Sequence, residues 1–117
     1  MQLATLQTMA ALADPTRLLI VEALLARGEQ PVGDLVAAAS IHQSGVSRHL
    51  RILQEAGFVT VRPEGAQRLY SLRPEPFHEL DDWIARYRRL WEARLDRFAT
   101  ALDKKKKARA LKRKEIV

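Results

Sequence analysis

The sequence predicts a mainly α-helical fold carrying one small β-hairpin, with elements in the order ααααββα and a long last helix. Three observations predict it. Apolar residues recur at helical spacing as far as Gly57. Two short runs of alternating type, 58–62 and 67–72, then flank the turn residues Pro63-Glu64-Gly65-Ala66. Beyond Pro76 the helical period returns and is sustained to Leu102.

Each element has its own local reason. Leu3, Leu6, Ala10 and Ala13 place a first helix over about residues 2–12. Asp14-Pro15 then restarts the chain: the carboxylate can cap free amides, and proline suits a first helical position. The second helix carries Leu18, Ile20, Val21, Leu24 and Leu25 and stops at Gly28. Pro31-Val32-Gly33-Asp34 opens a short third helix holding Leu35 and Val36. Ser40-Ile41-His42 turns the chain into a fourth, about Gln43 to Ala56, whose inner side is Val46, Leu50 and Leu53. In the last helix, Leu80, Ile84, Tyr87, Trp91, Leu95, Phe98 and Leu102 step by 4, 3, 4, 4, 3 and 4. A small domain cannot bury so long a seam alone, which predicts packing against the same helix of a second chain.

A chain of 117 residues has room for one core, with 47% hydrophobic and 29% charged residues typical of a globular protein. The net charge of +6 is unevenly placed. Residues 104–117 hold eight cations against one acid, whereas residues 1–103 hold twelve arginines against thirteen acids. The reading is therefore a folded domain over 1–103 and a basic C-terminal tail over 104–117, the tail being either a helical extension or a disordered arm, since runs of like charge oppose a helix. A basic tail is poor evidence for nucleic-acid binding by the body. There is no cysteine, which excludes disulfides, thiolate metal sites and thiol switches. No apolar run reaches bilayer-spanning length, and the first residues lack the features of a signal peptide; a cytoplasmic protein is expected.

A short third helix, a tight turn and a fourth helix with a polar outer face make a helix-turn-helix, and the following hairpin makes it winged. The outer face offers Gln43, Ser44, Ser47, Arg48 and Arg51, with His49 on the same helix. Such groups donate to phosphates and read base edges in a major groove, where glutamine suits adenine and arginine suits guanine. Gly45 removes side-chain bulk there. Arg62 and Arg68 flank the hairpin turn, within reach of phosphates or a narrow minor groove. Any solvated helix face has similar composition, so the local charge carries weight: between Ser44 and Arg73 there are five arginines and two glutamates in an otherwise slightly acidic body. The competing reading is a protein-interaction adaptor that kept the fold, and it would carry apolar residues on that face.

Two segments, Ala11-Leu12-Ala13-Asp14-Pro15-Thr16-Arg17-Leu18 and Gln43-Ser44-Gly45-Val46-Ser47-Arg48-His49-Leu50, followed by Leu53 and Glu55-Ala56-Gly57-Phe58-Val59, resemble the ArsR family of bacterial repressors. The resemblance runs from about Leu6 to Leu102. It implies a transcriptional repressor that binds a palindromic operator as a homodimer, with a recognition helix in each major groove. It also implies an interface built from the first and last helices, which here offer Leu3, Leu6 and Ala10 with Leu80, Ile84, Tyr87, Trp91, Leu95 and Phe98. The segment from Leu80 through Arg97 is similar to a subgroup without the family's cysteine metal-sensing box, whose place Ala37-Ala38-Ala39 takes. His42 stands where many members have a serine cap, and imidazole is expected to cap less well. Gly45 replaces their Thr, Ala or Ser, with an expected change in base preference.

No cofactor or metal is expected. His78 and Asp82, at i and i+4, have the spacing of a ligand pair, a metal-responsive alternative; with Glu79 and Asp81 they also simply complement the positive end of the last helix. Trp83, Tyr87 and Trp91 form a stripe read as dimer core rather than as an effector pocket. Nothing resembles a nucleophile–base pair, a phosphate-cradling loop or paired catalytic carboxylates, so no enzyme is expected.

Overall fold

Asp14 starts the second helix as its chemistry demands. Its carboxylate accepts the backbone N–H groups of Thr16 at 2.9 Å and Arg17 at 3.1 Å, and Pro15 occupies the first helical position. The Arg17 amide, more than any other contact, holds this carboxyl below the usual carboxylate range. The computed structural model describes residues 3–116, and side chains over 4–113. Its elements are α1 (Leu3–Leu12), α2 (Pro15–Arg27), β1 (Gln30–Pro31), α3 (Val32–Ala39), α4 (Gln43–Glu55), β2 (Val59–Glu64), β3 (Gln67–Leu72) and α5 (Glu75–Ile116). No described helix is long and apolar enough to cross a membrane.

The chain forms two units, one ending at Asp81 and one beginning at Asp82. The first has a single core. Ile20, Val21 and Leu24 of α2 meet Leu35 of α3, Val46, Leu50 and Leu53 of α4, and Phe58 and Val59 at the start of β2. Phe77 and Leu80, in the first turns of α5, pack against this cluster, and the Phe77 ring meets Phe58 edge-on at 5.3 Å. Burying each such side chain contributes roughly 1.5–3 kcal/mol. Leu80, assigned to the dimer seam by its spacing, thus also belongs to the domain's own core.

The strands form a sheet in the order β1-β3-β2, all antiparallel. β1, absent from the expected element order, pairs Gln30 with Tyr70 and Pro31 with Leu69. Two residues ending in proline carry no strand signature. The pairing exists because Gln30 is buried and donates its side-chain amide to the Ala23 carbonyl at 2.8 Å. The hairpin is also tighter than expected. β2 continues through Pro63 and Glu64, and only Gly65 and Ala66 turn the chain. Pro63 is tolerated because β2 is an edge strand, and Gly65, at φ 59°, supplies the left-handed residue a two-residue turn needs.

The second unit is the remainder of α5. Its helix passes through Lys104–Lys107 to Ile116, so the basic stretch is a helical extension of α5. Lysine is itself a good helix former, as are Ala108, Ala110 and Leu111, and like-charge neighbours cost only tenths of a kcal/mol (~0.2–0.5 per pair). Ile84, Tyr87, Leu90, Trp91, Leu95, Phe98 and Leu102 are all exposed along it. The Trp83 and Tyr87 rings lie 5.0 Å apart, tilted by 55°, and Arg94 lies over the Trp91 ring at 5.5 Å.

Candidate nucleic-acid interface

The turn between α3 and α4 is three residues long. Ser40 closes α3 in the left-handed region at φ 56°, and its N–H returns to the Val36 carbonyl. His42 then caps α4: its Nδ1 accepts the Ser44 backbone N–H at 3.2 Å and lies 2.9 Å from the Ser44 hydroxyl. The imidazole expected to cap poorly therefore makes the bond a serine would make. At Gly45 a Cβ would meet Ile41 Cδ1 at 3.1 Å, so the missing side chain also relieves crowding against the Ile41 side chain in the turn.

Val46, Leu50 and Leu53 lock α4 into the core, which turns Gln43, Ser44, Ser47, Arg48 and Arg51 outward, all exposed. Gln43, Ser47 and Arg51 do more than share a helix face. With Gln54 they form one wall of a polar cleft of about 520 Å³, and Gln67 and Arg68 of β3 face them across it. No acidic side chain among the described residues lines this cleft. Among the described residues, Arg48, Arg51 and Arg68 have no ion-pair partner. A concave polar surface with two uncompensated guanidinium groups attracts an anionic backbone. Gln54 and Gln67 were missing from the sequence-derived site. Gln54 is legible in retrospect, continuing the stripe 43, 47, 51 at helical spacing; Gln67 depends on the hairpin register.

Arg62 has a different role from Arg68. Its guanidinium grips Glu29 with two donors, at 2.9 and 2.6 Å, and touches Glu64 at 3.4 Å. The paired Arg62 holds Glu29 below the usual carboxylate range, and Glu29 in turn raises Arg62. The expected phosphate-reaching arginine is thus balanced by acids, one of them 33 residues away in sequence. His49 is only half exposed, and its Nδ1 lies 3.4 Å from the Arg17 guanidinium instead of on the outer stripe.

Of the residues expected at a dimer interface, Leu6, Ala10, Ile84, Tyr87, Trp91, Leu95 and Phe98 are exposed. The side chain of Leu3 lies outside the described residues. His78 and Asp82 are exposed, and among the described residues no group of three or more His, Cys, Asp or Glu side chains is arranged to hold a metal.

Residues 14–61 match the family described as "Bacterial regulatory protein, arsR family". The chain is 38% identical over 93 residues to the HTH-type transcriptional regulator Rv2034 of Mycobacterium tuberculosis, covering 80% of this chain and 83% of that one. It is 38% identical over 74 residues to the arsenical resistance operon repressor of Bacillus subtilis, covering 63% of this chain and 70% of the relative. The match to the probable mercury resistance operon repressor of Streptomyces lividans, 44% identical, spans 53% of this chain and 49% of the relative. Among solved structures, an ArsR family transcriptional regulator, RHA00566, superposes with a TM-score of 0.67 at 28% identity, over 76% of this chain and 91% of that one.

Proposed function

This chain belongs to the ArsR family of bacterial transcriptional regulators, and from that premise we propose that it represses transcription as a homodimer occluding an inverted-repeat operator. It is a DNA-binding regulator of the winged helix-turn-helix type. The observation that carries the finer reading is the cleft between α4 and the wing, lined by Arg51 and Arg68 with no acid among its described residues, beside the exposed Arg48. α4 enters a major groove, Gln43 and Arg48 read base edges, and Ser44 and Ser47 allow close approach. The α5 seam joins two chains so that two such helices meet half-sites about one helical turn apart, roughly 34–36 Å.

The test is a titration of the duplex upstream of the chain's own gene against random duplex. Arg48→Ala should cost about 1–3 kcal/mol on the cognate site and less on random DNA. Equal losses on both would overturn the base-reading role. The basic stretch 104–117 adds sequence-independent affinity by releasing counterions, so truncation after Asp103 flattens the salt dependence in the same titrations without relaxing sequence preference. An unchanged slope overturns that contribution.

The Glu29–Arg62 pair makes a separate prediction. Glu29→Gln removes one charge and releases Arg62 toward the duplex, so affinity for random DNA should rise and the salt slope should steepen by about one. A variant with the parent slope would show that Arg62 does not reach phosphate even when released.

A further inference from the structure

His49 is the only imidazole within α4, and α2 dictates where its proton sits. Arg17 donates its Nε proton to the Ala11 carbonyl at 2.7 Å, which pins the guanidinium between the end of α1 and the flank of α4. From there its terminal NH1 lies 3.4 Å from His49 Nδ1. A guanidinium carries only donors, so Nδ1 must accept, and the proton of a neutral imidazole is left on Nε2. Asp14 is the acid beside this pair; its Oδ1 accepts both the Thr16 and the Arg17 amides. His49 Nε2 has no protein partner among the described residues. Nor is it one of the buried unpaired side-chain atoms found among the described residues, Gln30 Oε1 and Glu79 Oε1. Nε2–H therefore meets solvent.

We propose that Arg17 is a positioning residue for DNA binding: it holds His49 as the Nε2–H tautomer, and that N–H donates to a backbone phosphate beside the bases read by Arg48. The inference rests on the placement of α4 against the duplex. His49 stands on the α2 side of the helix, away from the stripe of Gln43, Ser47 and Arg51, so its partner is the flanking backbone rather than a base edge. The tautomer decides the sign of the contact. With the proton on Nδ1, the Nε2 lone pair would face the anion and repel it; with Arg17 occupying Nδ1, the same atom attracts.

The test compares two amides. In His49→Gln the side-chain nitrogen can take the position of Nε2, whereas in His49→Asn it reaches only to that of Nδ1. The Asn variant should lose about tenfold in affinity on cognate and random duplex alike, the loss of one hydrogen bond to a charged group, while the Gln variant stays within about threefold. The salt slope should not change, because a neutral donor displaces no counterion. A long-range proton–nitrogen spectrum of the DNA-free protein should show the Nε2–H tautomer, and Arg17→Met should populate the Nδ1–H form as well. An Nδ1–H ring in the parent protein, or equal losses for Gln and Asn, would overturn the proposal. Failure of the underlying placement is read separately: an Arg48→Ala variant that binds both duplexes normally would take α4 off the DNA, whatever the tautomer.

Discussion

Trp91→Glu should leave each chain folded and separate the dimer, with a loss of operator affinity of at least about a hundredfold. Trp91 lies midway along the seam from Leu80 to Leu102, and 56% of its surface is exposed in the single chain. Replacing it therefore removes nothing from the core of the first unit, and far-UV circular dichroism should match the parent. In the proposed dimer the same position would be buried along the seam, where an unpaired carboxylate costs several kcal/mol. Without the seam, each α4 must find its half-site alone. Linking two binding modules multiplies affinity by roughly 10²–10⁴, and that factor is what separation removes. Sedimentation velocity beside an anisotropy titration reads both halves of the prediction. A variant that still sediments as a dimer would show that the contact between chains lies elsewhere.

Phe58→Ala should be the most damaging single truncation for stability. The Phe58 ring is fully buried, and the backbone that carries it is fastened on both sides, so the site cannot collapse to fill the cavity that truncation leaves. Its N–H bonds the Leu53 carbonyl at 2.9 Å and closes the end of α4. Its carbonyl accepts Arg73 N–H at 2.8 Å, which fastens the chain leading from β3 into α5. Its ring meets Phe77 at 5.3 Å and 77°. Truncation of a buried phenylalanine costs about 3–5 kcal/mol, a large part of the roughly 5–15 kcal/mol that holds a domain together. The melting temperature should fall by on the order of 15 °C or more, and DNA binding should be lost as α4 loses its anchor. Phe58→Leu, closer in volume, should cost less than about 1.5 kcal/mol. A thermal melt of the Ala variant within a few degrees of the parent would overturn the assignment of Phe58 as the keystone of this core.

The sequence-derived site divides into residues whose placement is local and residues whose placement is not. Gln43, Ser47, Arg48 and Arg51 were legible because Val46, Leu50 and Leu53 bury one side of α4, and a helix with a fixed inner side has a fixed outer side. The same grounds of charge and position group Arg62 and His49 with them, yet each is turned toward a partner far away in the chain. Glu29 takes the first and Arg17 the second. Gly45 and His42 show the same limit at shorter range: their roles follow from where Ile41 and the Ser44 amide lie in a three-residue turn.

By itself the sequence determined the four short helices, the hairpin and the unsatisfied seam of α5, because capping residues and apolar periods act within a few residues of one another. Tertiary structure alone decided that Gln30-Pro31 becomes a third strand, that Arg68 rather than Arg62 is left without an acid beside the cleft it shares with Arg51, and which nitrogen of His49 meets Arg17. Each of those outcomes is a pairing between segments about 30 or more residues apart. A hydrogen bond or ion pair acts over a few ångströms of space, and no period along the chain records which distant group will arrive there.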